Sequence, residues 1–459
     1  MFMEQMDYFF NPKSIAVIGA SRHPRKIGHV VFRNFIESGF KGKLYPVNPN
    51  AEEMFGRKAY KTVKKIPGKV DLAIVVIPAK FVIQAIEDCG KKKIPAVIII
   101  TSGFKEVGNV ELENQLIKTL KKYKIRAIGV NGLGVFDAYT GIDTFFLPRY
   151  KLERPEKGEI AFISQSGATG SVVMDWMAMK NYKVSKFISY GNATDIDEAD
   201  LTEYLARDKK TKVICAYFEG VKEGRKFYET TKRLSKKKPI IVLKGGTTEA
   251  GTKAVSSHTG SLAGAAEVYK SAFKQAGVIQ ADGLEEIFDY ARVLATQPMP
   301  KGKRVQIITD GGGFGVLQSD WLIKYGLDLA KMDKKYIDAM KKIFPPYVSL
   351  RNPMDLTGDA DTPRYREAIN AAMEDKNVDI VLVIVLLQVP ALTPDVVDVI
   401  AEAAEKKTKP VIVVSAGGRY TEVLKKALED AGVPTFSYTE AAAKALKVLC
   451  EYSEYKRGK

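Results

Sequence analysis

Three cysteines in 459 residues, Cys89, Cys215 and Cys450, are too few and too scattered for a disulfide framework or a zinc site. No apolar run approaches the roughly 18 residues of a membrane span. The longest, Ile380–Leu387, is bounded by Asp379 and Gln388 and reads as a buried strand. The N-terminal stretch MFMEQMDYFFNPKS lacks a basic region, an apolar stretch and a small-residue cleavage site, so no signal peptide is expected and the chain reads as cytoplasmic. Histidine is equally scarce, at His23, His29 and His258. What is present suits a packed interior: 46% of residues are hydrophobic and 27% charged, and the length argues for two to four domains.

The formal net charge is +17, yet the basic residues form no arm or stripe with interleaved aromatics. Runs such as Lys91–Lys93 and Lys236–Lys238 fall where predicted helices end, where cations suit the helix dipole. A solvated Lys-rich surface is expected rather than a nucleic-acid face. Any remaining excess of positive charge suits a polyanionic small ligand.

Short β-branched runs, Gly-containing turns and amphipathic stretches alternate along the chain, which argues for an α/β fold of helix-covered parallel sheets. A first block has predicted strands at 14–19, 43–47, 71–77, 96–101 and 126–130. A charged linker with two prolines, Pro148–Gly158, separates it from strands near 159–164, 186–189, 213–217 and 239–243 and a helix through 285–294. A second linker, Gln297–Lys303, precedes strands at 304–309, 380–385 and 410–415. Domains are therefore expected at 1–148, 149–298 and 299–459.

Ligands of open parallel sheets bind beyond the carboxyl ends of the strands. In the first block those segments read GASRHPRKIG (19–28), VNPN (47–50), IPAK (77–80), TSGFKE (101–106) and VNGLG (130–134). Gly, Ser and Asn there suit close backbone approach to a phosphate-bearing ligand. NAD fits poorly: Gly19-Ala20-Ser21 lacks the second glycine of the dinucleotide fingerprint, and Val47-Asn48-Pro49-Asn50 has no acid for a ribose hydroxyl. The turn DGGGFG (310–315) lacks the Lys-Ser/Thr of a P-loop and reads first as a tight turn packing a helix on the sheet.

His258 sits in KGGTTEAGTKAVSSHTGSLAG (244–264), a stretch of small and polar residues without apolar period, read as a loop leading into a helix at 265–275. A histidine in such a setting is most often an ordinary loop residue. A neutral imidazole can also accept a phosphoryl group, given backbone N–H donors nearby. A second Gly/Ser turn, SQSGATG (164–170), lies between a strand and a helix and offers such donors.

The order of motifs resembles a known family. Gly19-Ala20-Ser21 with Pro24, Lys26 and Gly28, then VNPN, IPGKVDLAIVVIPA (66–79) and SGFKEVG (102–108), is similar to the CoA-binding domain of ADP-forming acyl-CoA synthetases. SQSGA, YGNATDIDEADLTEYL (190–205), FEGVKEGRKF (218–227) and SHTGSLAG (257–264) resemble the first ligase domain, and DGGGFG and NPMDLTGD (352–359) the second. The resemblance implies a Rossmann-like CoA-binding domain followed by two flavodoxin-like ligase domains of the succinyl-CoA synthetase type. It implies the α subunit of an enzyme that turns acyl-CoA, ADP and phosphate into carboxylic acid, CoA and ATP.

Roles follow from the resemblance. His258 matches the phosphoryl-accepting histidine and Glu219 the carboxylate that bonds to it, while Ser166 and Gly167 match the phosphate-binding turn. Gly19, Ser21, Lys26, Val47, Asn48, Pro78, Thr101 and Ser102 lie in the segments that line CoA. Asn131 and Gly132 fall at the acyl site, where relatives usually show Gly-Pro-Asn-Cys against Gly129-Val130-Asn131-Gly132 here. Thr247 stands where relatives often carry Arg. ADP or ATP and Mg²⁺ belong to an ATP-grasp domain in the family. No block here is left over for one, which implies a separate β subunit and an α2β2 heterotetramer. No bound metal is expected in this chain. The competing class is a non-catalytic CoA-binding regulator of the same fold, for which a retained His258 and Glu219 have no use.

Overall fold

The computed structural model describes residues 2–259 and 266–458, with side chains described from residue 4 and not for 256–259. The chain divides into two compact units, Met1–Leu284 and Glu285–Lys459.

In the first unit, β1 (Ser14–Ile18), β2 (Lys43–Val47), β5 (Leu72–Val75), β6 (Ala96–Ile99) and β7 (Arg126–Gly129) form a parallel sheet in the order β2-β1-β5-β6-β7. A small antiparallel pair, β3 (Glu53–Met54) and β4 (Arg57–Lys58), sits beside it in sequence. The central strands read SIAVI, LAIV and AVII and are wholly buried, the run expected of a sheet covered on both faces. The covering helices are α1 (Phe2–Phe10), α2 (Ile27–Glu37), α3 (Val82–Lys91) and α4 (Val110–Tyr123). From α1, Met6, Phe9 and Phe10 enter the core, and Phe10 stacks on Tyr204 with ring centroids 4.5 Å apart.

The second sheet of this unit runs β14-β13-β12-β10-β11-β8-β9. Its strands are β8 (Gly134–Asp137), β9 (Ile142–Asp143), β10 (Lys157–Ser164), β11 (Val184–Ser189), β12 (Val213–Phe218), β13 (Ile240–Lys244) and β14 (Ile279–Ala281). Helices α5 (Gly167–Met179), α6 (Glu198–Arg207), α7 (Gly224–Leu234), α8 (Glu249–Thr259) and α9 (Ala266–Ala276) accompany it. The β8–β9 hairpin was not anticipated. It pairs antiparallel with β11, Phe136 opposite Phe187, so chain that follows the first sheet directly becomes the edge of the second.

The segment read as a charged linker, 148–158, is tied down. The Arg154 side chain is 3% exposed and binds Asp143, itself fully buried, through Nε at 3.0 Å and Nη2 at 3.2 Å. Strand β10 begins at Lys157, inside that segment. A second correction concerns 249–259, expected as loop. It forms α8, where Glu249 and Lys253 pair at i,i+4 (2.8 Å), alanines favour the helix, and Val255 supplies the buried contact.

The second unit opens with α10 (Leu284–Thr296), whose residues from Glu285 belong to it. Its sheet contains β15 (Arg304–Thr309), β16 (Asp328–Leu329), β17 (Met354–Asp355), β18 (Ile380–Ile384), β19 (Val411–Val414) and β20 (Thr435–Phe436), in the path β16-β15-β18-β19-β20 with β17 beside β15. Its further helices are α11 (Gly312–Lys324), α12 (Lys334–Met340), α13 (Thr362–Glu374), α14 (Val396–Glu405), α15 (Arg419–Asp430) and α16 (Thr439–Arg457). The DGGGFG turn starts α11. A Cβ on Gly315 would lie 3.1 Å from both Pro353 and Thr309, so this glycine lets the helix close on the sheet. Asp310 is buried and accepts from the Leu386 amide at 3.0 Å, and burial pushes its carboxyl up to about 6.

A candidate acyl-CoA and phosphate cleft

At the carboxyl ends of β1, β5, β6, β7, β10 and β12, the loops of the first unit enclose a cleft of about 1200 Å³. Of the residues singled out in the sequence, Gly19, Ser21, Lys26, Asn48, Pro78, Thr101, Ser102, Asn131, Gly132, Ser166, Gly167 and Glu219 all line it. Val47 does not. It is buried in β2, where its carbonyl accepts from Gly19 N at 3.0 Å and so fixes the first turn from behind.

The first turn is possible only with glycine. Gly19 has φ +95°, and a Cβ on Gly28 would stand 1.9 Å from the Gly19 carbonyl oxygen, so α2 starts against the turn itself. Asn48 Nδ2 donates to Ala20 O at 2.8 Å, and His29 Nδ1 lies 3.1 Å from Ser21 O. Thr101 Oγ1 donates to Ile77 O at 2.8 Å, locking the ends of β5 and β6 together.

The opposite wall is the start of α5. Ser166 caps this helix, its Oγ accepting from Thr169 N at 3.2 Å. The first-turn amides of Gly167 and Ala168 have no partner within a helix, and both residues line the cleft. A helix N-terminus of this kind suits an anion. Glu219, 8% exposed, stands at the end of β12 beside it. Gln165 Oε1 accepts from the amides of Glu219 (2.7 Å) and Gly220 (3.2 Å), and Tyr217 Oη donates to Glu219 Oε1 at 3.3 Å. Burial, then the Glu219 charge, pushes the Tyr217 phenol up to about 12, which keeps it a donor. Lys244 ends the neighbouring strand. Its Nζ lies 4.8 Å from the centre of the Tyr269 ring, and burial lowers its pKa against the opposing pull of Glu219.

Sequence reading missed Lys105, Glu106 and Asn192, which also line the cleft. Glu106 accepts from the amides of Gly103 (2.6 Å) and Phe104 (3.1 Å) and from Asn192 Nδ2 (2.7 Å). Burial acts to raise its pKa, but these bonds outweigh it and hold the carboxyl below its ordinary value. SGFKE and YGN are separate motifs in the sequence, and the fold brings them together. The His258 side chain lies outside the described residues; its backbone falls in α8. Thr247 is exposed in the turn before that helix.

Three family models match in the same order as the sheets. A CoA-binding domain covers 13–137, a succinyl-CoA ligase-like flavodoxin domain 157–294 and a ligase-CoA domain 305–458. The chain is 43% identical over 455 residues to the α subunit of acetate–CoA ligase (ADP-forming) II of Pyrococcus furiosus, covering 98% of each. It is 41% identical to the acetate–CoA ligase (ADP-forming) of Methanocaldococcus jannaschii, covering 98% of this chain and 63% of that longer protein. An acetyl-coenzyme A synthetase 1 structure from Candidatus Korarchaeum cryptofilum, in complex with phosphate and ADP, superposes with a TM-score of 0.93 at 38% identity, over 98% of this chain and 97% of that one. The fold and cleft define a CoA ligase of the succinyl-CoA ligase type. Within that class the chain belongs to the family of ADP-forming acetate–CoA ligase α subunits.

Among the described residues, no helix is long and apolar enough to cross a membrane.

Proposed function

We propose that this chain carries out the acyl-CoA and phosphate half of an ADP-forming acyl-CoA synthetase in the cytoplasm. One observation carries the reading: the Gly/Ser/Asn turns of the CoA-binding block and the α5 turn with Glu219 open into one cleft. CoA phosphates lie along the 19–28 turn, with Lys26 and the backbone as donors. A phosphate oxygen attacks the thioester carbonyl, the C–S bond breaks, and CoA leaves as the thiol. His258 then attacks phosphorus, the P–O bond to the acyl group breaks, and the carboxylate departs. Glu219 steadies the imidazolium character of the phosphorylated ring, and the amides of Gly167 and Ala168 receive phosphate oxygens.

Transfer to ADP completes the cycle, with the terminal ADP oxygen forming the new P–O bond as the P–N bond breaks. ADP and Mg²⁺ belong in an ATP-grasp β subunit, in an α2β2 assembly. The working division of this chain is 1–148 for CoA, 149–298 for phosphoryl capture and 299–459 for the second ligase domain.

The test is to supply acyl-CoA and labelled phosphate to the purified chain. The label should be labile to acid and stable to base, as expected of a phosphoryl group on imidazole, and ADP should remove it only when the β subunit is added. Acid-stable label would mean that a different residue carries the phosphoryl group.

A further inference from the structure

Resting on that reading, we propose that Tyr217 is a positioning residue of phosphoryl capture: its hydroxyl fixes the Glu219 carboxylate in the orientation in which it meets the histidine.

Tyr217 precedes Glu219 by two residues at the end of β12, so strand alternation puts both side chains on one face. The strand reads VICAYF, and Tyr217 is its half-buried position among buried ones. Its backbone is held by the residue that holds Glu219. Gln165 N donates to Tyr217 O at 2.9 Å, while Gln165 Oε1 accepts from Glu219 N at 2.7 Å. The phenol donates to Glu219 Oε1 at 3.3 Å and also meets the Thr169 side chain in the first turn of α5. A Cβ on Gly245 would stand 2.9 Å from the phenol oxygen and 3.4 Å from Glu219 Cγ, so the segment leading from β13 into α8 closes on the pair. Three elements thus meet at this hydroxyl: the strand that leads to Glu219, the helix start that offers amides to an anion, and the approach to the helix whose backbone includes residue 258.

Tyr217 does not line the cleft, whereas Glu219 does, so the phenol acts through the carboxylate rather than on the substrate. The last torsion of a glutamate is broad and two-fold, and an outside contact is needed to hold the carboxylate plane. A competitor for that carboxylate is close by. Lys244, cross-strand from Phe218, is buried, with its ammonium bonded to Gly245 O and set over the Tyr269 ring, yet it still feels the Glu219 charge. Without the phenol, Glu219 is left to turn toward that ammonium, which would neutralise its charge away from the histidine. A neutral donor avoids this. It holds one carboxylate oxygen and leaves the full negative charge to steady an imidazolium.

The experiment follows labelling of the full chain from acetyl-CoA and labelled phosphate over a range of phosphate concentrations, beside calorimetry with free CoA. Tyr217→Phe keeps the ring and removes only the hydroxyl. Its maximal labelling rate should fall about ten-fold, with half-saturating phosphate and CoA affinity each within about two-fold of the parent. A role exercised through Glu219 also predicts that the hydroxyl no longer matters once the charge is gone. The double variant Tyr217→Phe, Glu219→Gln should therefore label within about two-fold of Glu219→Gln alone. Gly245→Ala, whose methyl meets the phenol oxygen, should slow labelling in the parent and have little further effect in Tyr217→Phe. Tyr217→Phe labelling at the parent's rate, or a loss that multiplies undiminished with that of Glu219→Gln, overturns the proposal and leaves the phosphoryl-transfer reading intact. A parent chain that takes no label overturns that reading, and the role of Tyr217 falls with it.

Discussion

The amide of Glu219 donates to Gln165 Oε1 at 2.7 Å, so the turn that starts α5 and the carboxylate at the end of β12 are set by one side chain 54 residues away. Gln165→Ala would leave the Glu219 and Gly220 amides without this acceptor, at about 1–3 kcal/mol of local cost. We expect phosphate labelling of the chain to slow at least ten-fold while calorimetric affinity for free CoA stays unchanged. Equal loss of both would show that Gln165 serves folding alone.

His258→Ala should abolish labelling, whereas His23→Ala and His29→Ala should leave it largely intact. Glu219→Gln should weaken it, because an amide accepts a hydrogen bond but has no charge for the cationic ring. Label that survives His258→Ala would disprove the assigned carrier.

The full chain should bind CoA and not NAD, and by itself should make no ATP from acyl-CoA, ADP and phosphate. Net ATP formation by the chain free of any partner, in a luminescence assay, would reveal a nucleotide site within this chain.

Arg154→Ala would take the deeply buried partner from the fully buried Asp143 carboxylate, leaving it the half-exposed Arg149 at 3.1 Å and the Phe145 amide at 3.4 Å. A loss of about 3–5 kcal/mol is expected in denaturant unfolding of the full chain. Arg154→Lys should recover only part, since the planar fork that reaches both Asp143 oxygens and Leu147 O is lost.

Burial, with Asp197 adding to it, raises the Glu198 carboxyl from its ordinary 4.5 to about 7, although the Lys222 amide donates to it at 3.0 Å. The folded state then holds a proton that the unfolded chain has released. Stability should fall as pH rises from about 4.5 to 7 and level off above. Glu198→Gln keeps an acceptor for Lys222 N and has nothing to titrate. Relative to the parent it should gain on the order of 1–3 kcal/mol between pH 5 and pH 8. Parallel melting curves against pH for the two proteins would rule this out.

The parallel sheets were legible because their strands are buried on both faces and read as unbroken Val/Ile/Ala/Leu runs, as in Leu72–Val75 and Ile380–Ile384. The cleft's turns were legible for a related reason, since Gly19 and Gly28 stand where only a missing Cβ permits the approach. Helix α8 was not, because its small and polar residues leave no apolar period and, among its described side chains, Val255 is the buried one. The β8–β9 pair escaped notice because GVFD and ID are too short to show alternation. Phe146 and Leu147 escaped with it, since their place in the cleft depends on that hairpin. The Glu106–Asn192 contact spans 86 residues and no local pattern announces it.

The hairpin also decides how the first unit comes apart. Residues 134–143 leave the first sheet's last strand and become the outer edge of the sheet that follows, with Ser189 opposite Gly134. Cutting the chain in the 148–158 segment would therefore not release two finished halves. The first fragment would carry an edge hairpin with no sheet to join, and the second would expose the flank of β11. The segment after β11 also donates to β7, Thr194 N to Gly129 O at 3.0 Å and Ile196 N to Ala127 O at 3.1 Å, so loss of either sheet strips hydrogen bonds from the other, and residues 1–284 should melt in one cooperative transition rather than as two modules joined by a tether.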